Sequence, residues 1–134
     1  PECPLDGRCQ AQEVVYEAHV GKENEQKVYI GSTEPPFKKR HYNHKSDMNI
    51  ESRRNNTELS KHVWRLKETN APVTIKWRIA EQAKGYSNVS KRCNLCVTEK
   101  FRIITADRST RLNKRSELIS KCRHANKFQL SRVT

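Results

Sequence analysis

The first apolar pattern along the chain predicts a β-hairpin. Residues 13–20 (EVVYEAHV) alternate between apolar and polar positions and are rich in valine, which is typical of a strand. A polar turn over residues 21–26 leads into a second β-rich run, residues 27–31 (KVYIG). Because the connection is short, we expect the two strands to pair antiparallel.

Two helices are predicted next. Pro35 and Pro36 suit the first turn of a helix that ends near Lys45, since proline needs no hydrogen-bond partner there. Residues 47–56 are polar and predict a loop. A second helix opens at residues 57–60 (TELS), and helical spacing places on one apolar face Leu59, Val63, Trp64 and Leu66.

The remaining pattern completes an α+β domain. Residues 73–80 (VTIKWRIA) predict a third strand, residues 83–90 a loop, and residues 93–105 a helix with apolar Leu95, Val97, Phe101, Ile103 and Ile104. A final helix is predicted near residues 114–120. The order β-β-α-α-β-α-α indicates a small three-stranded sheet, mixed or antiparallel, flanked by helices.

We expect one domain in three parts. Residues 1–12 form a cysteine-containing arm, residues 13–115 the core, and residues 116–134 a C-terminal helix and tail. At 134 residues, with only 34% hydrophobic content and a mean hydropathy of −0.99, the chain supports a single, thin core. It starts at Pro1 without a methionine, which favours a piece of a longer polypeptide.

The charge points to a polyanionic partner. The net charge is +12 and the isoelectric point is near 9.8, which favours nucleic acid over a merely soluble basic protein. No run approaches the roughly 20 apolar residues that span a bilayer, so we expect no membrane partner.

Five cysteines, an odd number, favour a metal over a closed disulfide framework, and we expect a reducing compartment. Cys-x-x-Cys and Cys-x-His spacings are typical of zinc sites. One structural zinc would need four ligands, and which four stays open; buried thiols are the plainer alternative. The six candidate zinc ligands are Cys3, Cys9, Cys93, Cys96, Cys122 and His124.

Several polar residues form an ordered set of catalytic candidates. Two tyrosines, one in each strand of the hairpin, can approach within side-chain reach, and an arginine and a histidine share a helix face at i and i+4. A glutamate and an asparagine follow on later elements. Each alone has an ordinary structural explanation, and only the ordered set indicates a site. The set is Tyr16, Tyr29, Arg40, His44, Glu99 and Asn113.

This set resembles the GIY-YIG nuclease family. The first signature is present as Val14-Val15-Tyr16, with two valines in place of Gly-Ile, and the second as Tyr29-Ile30-Gly31. The segments CPLDGRC, SKRCNLC and LNKRSELISKCRH narrow the resemblance to the endonuclease domain of Penelope-like retroelements.

The resemblance implies the GIY-YIG nuclease fold and a DNA endonuclease that nicks its target. It implies one Mg²⁺ or Mn²⁺ at Glu99, a reverse transcriptase in the parent polypeptide, and an intracellular, nuclear location. Phosphodiester hydrolysis needs an activated water and stabilised charge on the phosphoryl oxygens. Arg40 would hold the phosphate and Tyr16 would position or deprotonate the water. His44 or Tyr29 would assist, and Asn113 would orient water or phosphate.

Basic residues on loops and helices predict contacts with a phosphate backbone, with weak sequence specificity. The candidates are Lys38, Lys39, Lys45, Arg53, Arg54, Lys114 and Arg115. The competing hypothesis is a catalytically inactive, zinc-containing module that only binds nucleic acid. The presence of both Arg40 and Glu99 favours the enzyme.

Overall fold

The structure, a computed structural model, describes residues 3–5, 7–21, 26–70, 72–82 and 93–114. These residues form an α+β fold, as the sequence predicted. The elements in chain order are β1 (Val14–Val20), β2 (Lys27–Thr33), α1 (Phe37–Asn49), a 3-10 turn (Glu51–Arg53), α2 (Glu58–Glu68), β3 (Ile75–Gln82) and α3 (Asn94–Thr105).

The three strands form one antiparallel sheet in the order β2-β1-β3. The predicted hairpin between β1 and β2 is confirmed, with Tyr16 opposite Gly31. β1 lies in the centre and is covered on both faces, and this explains why its residues from Val14 to Ala18 are all buried. The sheet therefore has two cores, one on each side of β1.

The first core lies between the sheet and helices α1 and α2. Alternate side chains of β1 and β2, among them Tyr16, Ala18 and Tyr29, pack there against Phe37 of α1 and Leu59 of α2. The residues between them point to the other face, where Val15 and Ile30 meet Leu95 and Ile103 of α3.

The helices begin at distinct signals. The predicted start of α2 is confirmed, and it is stabilised by a capping box. The Thr57 hydroxyl accepts from the Ser60 backbone N–H, and the Ser60 hydroxyl accepts from the Thr57 backbone N–H. α1 begins at Phe37, just after the two prolines that were predicted to form its first turn, and continues to Asn49, four residues beyond the predicted end.

The N-terminal arm completes the first turn of α1. Pro36 supplies no side-chain cap. Instead, the Phe37 N–H donates to the Ala11 carbonyl at 2.9 Å and the Lys38 N–H donates to the Cys9 carbonyl at 2.7 Å. These bonds satisfy N–H groups that a helix leaves unpaired at its start. The arm therefore fixes the position of the helix that carries Arg40 and His44.

The free edge of β2 is closed by the chain after α3. Val28 donates to the Thr110 carbonyl at 2.8 Å and accepts from the Leu112 N–H at 2.7 Å. The Asn113 side chain then pairs with both polar backbone atoms of Ile30, each at 2.7 Å. An amide side chain here replaces the next residue of a neighbouring strand.

One sequence prediction, on the N-terminal cysteines, needs correction, and another, on the final helix, falls outside the described residues. Cys3 and Cys9 are not metal ligands here: their sulfur atoms are joined in a disulfide, with Cα atoms 5.8 Å apart. The turn between them brings the two residues within disulfide range, so an odd total of cysteines did not exclude one local pair. The predicted final helix lies outside the described residues, apart from Lys114, which is not helical.

Candidate active site

Three of the predicted catalytic side chains meet at one oxygen atom. The Tyr16 hydroxyl lies 2.6 Å from Nε2 of His44 and accepts from Nε of Arg40 at 3.2 Å. Arg40 and His44 reach this point together because they are one helical turn apart on α1. The predicted convergence of a strand tyrosine with the arginine and histidine of the first helix is thus present in the structure.

Gly31 makes this geometry possible. A Cβ atom at Gly31 would collide with the ring and hydroxyl of Tyr16, which lies directly across from it. The pairing of β1 with β3 also shifts register between Val15 and Tyr16. Irregularities of this kind redirect side chains. The Tyr16 ring therefore lies flat over the bare backbone of β2, where any larger residue would displace it.

His44 is held in its neutral form. Its side chain is fully buried, and this burial, followed by the nearby charges of Arg40 and His41, lowers its pKa to about 3. A neutral imidazole has one donor and one acceptor nitrogen. Nδ1 of His44 is buried without a hydrogen-bond partner among the described residues, so Nε2 makes the contact with Tyr16. In either tautomer, this short contact restricts the direction of the Tyr16 hydroxyl group, whose oxygen also accepts from Arg40.

The lowered pKa of His44 predicts an acid-sensitive fold. Between about pH 6.5 and pH 3 the unfolded chain protonates this histidine while the folded chain does not. Stability is therefore complete above about pH 6.5 and decreases as the pH falls, by up to about 1.4 kcal/mol per pH unit from this group. Urea unfolding at pH 7.5, 6.0, 5.0 and 4.5 measures the slope.

The variant His44→Gln serves as the control for this slope, because other titrating groups contribute to both proteins. We expect the pH dependence between 6.5 and 4.5 to be shallower in His44→Gln than in the wild type. Parallel curves for the two proteins would contradict the buried, neutral histidine.

Aromatic rings surround His44. The rings of Tyr16 and Tyr29 both approach it edge-on, with centroids 5.7 Å away. Trp77 of β3 lies 5.5 Å from His44 and 6.0 Å from Tyr16. Tyr29 therefore belongs to the same cluster, as predicted, and Trp77 forms a wall that the sequence did not mark as part of the site.

Arg40 is half-buried, whereas Tyr16 and His44 are fully buried. Burial by itself would lower its pKa, but the charge and hydrogen bond of Tyr16, followed by the charges of Tyr29 and Asp47, raise the pKa overall. The guanidinium is therefore permanently charged beside the Tyr16 oxygen.

Glu99 approaches β2 from the other side. It lies on α3, and its Oε1 accepts from the Ser32 hydroxyl at 3.0 Å. Since side chains alternate along a strand, Ser32 points to the α3 face while Tyr29 points to the α1 face. The structure thus places the predicted carboxylate next to Gly31 along the strand, across the sheet from the Tyr16 cluster.

The donor set at Glu99 suits a hard cation that keeps most of its water. Mg²⁺ is typically held by one or two carboxylates, with water completing its shell. Among the described residues no group of three or more His, Cys, Asp or Glu side chains converges. Glu99, with the Ser32 hydroxyl beside it, therefore suits an ion that takes one carboxylate ligand and keeps its water, and does not resemble a site built from several carboxylates.

Asn113 is bonded to the backbone of β2, and its predicted role in orienting water or phosphate stays a prediction. Both polar atoms of its amide are bonded to the Ile30 backbone, and the residue is buried. It therefore holds β2 in place between the Tyr16 cluster and Glu99, as a positioning residue. Asn113 was predicted to orient water because of its position in the ordered set of catalytic candidates. The sequence alone does not show its bonds to Ile30.

The cysteines of α3 carry thiols. Cys93 caps the helix and Cys96 lies in its first turn; both are half-buried, and neither is in a disulfide. The other two predicted zinc ligands, Cys122 and His124, lie outside the described residues.

The predicted nucleic-acid contacts divide into two groups. Lys38, Lys39 and Lys45 are exposed on the outer side of α1, and Arg53 is exposed after it. The others have acidic neighbours: Arg54 pairs with Glu68 at 2.7 Å, and Lys114 lies 3.6 Å from Glu58. Arg115 is outside the described residues.

Sequence reasoning missed two residues that shape the site. Ser32, which holds Glu99, directly follows the Tyr29-Ile30-Gly31 signature, so its position on the strand is a usable signal. Trp77 alternates with Ile75 and Ile79 on β3, and that pattern predicted a strand but not a place in the site. The signal that would have placed Trp77 in the site is that it is an aromatic residue on a strand adjacent to the one that carries Tyr16.

Comparison of the chain with protein-family models, curated proteins and solved structures finds no match. Among the described residues, no helix is long and apolar enough to cross a membrane.

Proposed function

We propose that the chain is a metal-dependent DNA endonuclease of the GIY-YIG type that hydrolyses a phosphodiester bond and nicks its target. The observation that carries the proposal is the Tyr16 hydroxyl held between a neutral, buried His44 and the Arg40 guanidinium. Burying three polar side chains around one oxygen is costly for a merely structural purpose.

Tyr16, in its deprotonated phenolate form, is the proposed group that receives a proton from water. His44 fixes the direction of the phenol, and the adjacent positive charge of Arg40 favours negative charge on the Tyr16 oxygen. With a pKa of about 3, His44 is a poor store for the proton, so it acts by orientation. A water must reach Tyr16 from the side where Arg40 meets solvent.

Arg40 is the proposed phosphate ligand. Its half-buried position makes it the first member of the cluster that a phosphate group would meet. A guanidinium can donate two parallel hydrogen bonds to phosphoryl oxygens and stabilise the charge that develops on them. Nε is engaged with Tyr16, so the terminal nitrogens face the substrate.

Glu99 would hold a single Mg²⁺ or Mn²⁺, with the Ser32 hydroxyl fixing the carboxylate. A bound divalent ion stabilises charge on phosphoryl and leaving oxygens. Gly31 lies between Ser32 and Tyr29 on β2 and carries no side chain. A phosphodiester at the edge of β2 beside this residue would meet Arg40 on the α1 side and Glu99 on the α3 side.

The supporting components are also proposals. The disulfide leaves four zinc candidates, Cys93, Cys96, Cys122 and His124, and one ion there would brace the start of α3. Protein purified without chelator should contain close to one zinc per chain, and a content near zero would contradict the site. The resemblance to Penelope-like elements suggests a reverse transcriptase in the parent polypeptide and action in the nucleus.

A nicking assay tests the function. The purified chain is incubated with supercoiled plasmid and Mg²⁺, and we expect conversion to the open circular form that EDTA abolishes. Glu99→Gln keeps the size of the side chain but removes its charge, so we expect nicking to fall by about 100-fold or more.

Glu81→Gln is the matched control, because Glu81 is a carboxylate on neighbouring β3 that pairs with Arg102 of α3 at 3.0 Å. It should nick at a rate close to that of the wild type. Plasmid binding without any nicking would instead identify a nucleic-acid-binding module that lacks catalysis.

A further inference from the structure

A groove separates the N-terminal arm from α1, on the side of the helix away from the catalytic cluster. Its volume is about 310 Å³. A shallower depression of about 410 Å³ continues beyond it, and both share Gln10, Lys38 and Tyr42. Among the described residues that line the two depressions none is acidic and three are lysines, Lys38, Lys39 and Lys45, so this part of the surface suits an anion.

Tyr42 stands between the two depressions. Its side chain is 71% exposed, the largest exposure among the described large hydrophobic residues. Lys38 lies four residues before it and Lys45 three residues after it, so both ammonium groups share its side of the helix. An open aromatic ring is therefore flanked by positive charge at both ends.

Helix geometry keeps this surface apart from the catalytic cluster. Arg40 and Tyr42 are two residues apart on α1, and residues at that spacing point to nearly opposite sides of a helix. Arg40 reaches inward to Tyr16, whereas Tyr42 faces solvent. A ligand in the groove therefore does not occupy the place of the phosphate that would be cut.

Within the groove, His41 contributes shape and no charge. Burial, followed by the charge of Lys45, lowers its pKa, and its ring stacks on Phe37 with centroids 5.7 Å apart. The two exposed lysines therefore supply the positive charge and Tyr42 supplies the open aromatic face.

We propose that this groove binds single-stranded nucleic acid, with one unpaired base stacked on Tyr42 and the flanking phosphates on Lys38 and Lys45. Stacking needs a base whose face is open, which a single strand offers and the interior of a duplex does not. The inference rests on the proposed function and names the feature of the substrate that the second surface recognises: a single-stranded segment beside the duplex that is nicked.

Fluorescence anisotropy with the full chain in EDTA tests this proposal without any cleavage. The probes are a labelled 12-nucleotide oligo-dT, the matching oligo-rU, and a 12-base-pair duplex. For Tyr42→Ala, we expect single-strand affinity to fall by about 10-fold or more, and duplex affinity by less than twofold. Tyr42→Phe should retain the wild-type affinity, since the ring makes the contact.

Phe101→Ala is the matched control, because Phe101 is a similarly exposed aromatic residue, 62% exposed, on α3. It should leave single-strand binding unchanged. Equal losses for single strand and duplex in Tyr42→Ala, or no loss for either, would overturn the proposal. Whichever single-stranded probe binds more tightly, oligo-dT or oligo-rU, identifies the preferred strand as DNA or RNA. A plasmid that is not nicked would count against the proposed function and leave this result intact.

Discussion

The Arg40→Ala variant is expected to nick supercoiled plasmid about 1000-fold more slowly than the wild type. Arg40 is the only described guanidinium that touches the Tyr16 hydroxyl, and it is the proposed ligand of the scissile phosphate. Removing one preorganised donor to developing charge typically costs 100- to 1000-fold, and arginines that stabilise phosphoryl transfer reach or exceed that range. Single-turnover nicking with excess enzyme measures the rate.

Two further variants isolate the cause. Arg40→Lys retains a positive charge but not the planar, forked donor, so we expect most of the loss to remain. Arg65→Ala removes an exposed arginine from α2, outside the site, and should nick nearly as fast as the wild type. If Arg40→Ala and Arg65→Ala nick at the same rate, the proposed site is wrong.

The Tyr16→Phe variant is expected to lose about 100-fold or more of the nicking rate, because it removes the oxygen on which Arg40 and His44 converge. Proton transfer by a positioned side chain typically contributes 100- to 10,000-fold. Substitution by phenylalanine keeps the ring that packs over Gly31. It leaves Nε2 of His44 buried without this partner, so stability should also fall, by about 1–3 kcal/mol.

Tyr29→Phe is the natural comparison, since the Tyr29 ring approaches the same histidine edge-on. We expect a smaller loss of nicking than in Tyr16→Phe. The two variants should be compared below their unfolding temperatures, so that stability does not determine the rates. A larger loss in Tyr29→Phe would reverse the roles assigned to the two tyrosines.

Most of the fold was readable from short-range patterns. Alternation predicted β1 and β2, the proline pair predicted the start of α1, and the capping residues at Thr57 predicted α2. These signals act locally, between residues a few positions apart. The ends of elements were less accurate: α1 continues to Asn49, and β3 runs over Ile75–Gln82, two residues later than predicted.

Part of the site followed from the same patterns. The i, i+4 spacing of Arg40 and His44 predicted a shared helix face, and the hairpin predicted tyrosines on one face of the sheet. The position of Glu99 did not follow, because no local pattern states which face of a sheet a distant helix covers. Only the Ser32 contact shows that α3 brings the carboxylate to the face opposite Tyr16.

Other features depend on contacts that sequence spacing does not encode. The apolar residues of α3 predicted a helix but not which of its sides is buried: Leu95 and Ile103 are buried, while Val97, Phe101 and Ile104 are exposed. These apolar residues lie on two sides of the helix, and only the side that packs on β2 is buried. Similarly, the bonds from Asn113 to Ile30 join residues 83 positions apart.

The central position of β1 also sets the order in which the site can assemble during folding. Its pairing with β2 closes a short loop, whereas its pairing with β3 joins Ala18 to Trp77, across both α1 and α2. Closing the longer loop costs more chain entropy and is slower. Trp77 packs against both Tyr16 and His44, so the pocket is complete only after that late pairing. A nascent chain that has formed its hairpin and first helix therefore still lacks one wall of the pocket around Tyr16 and His44.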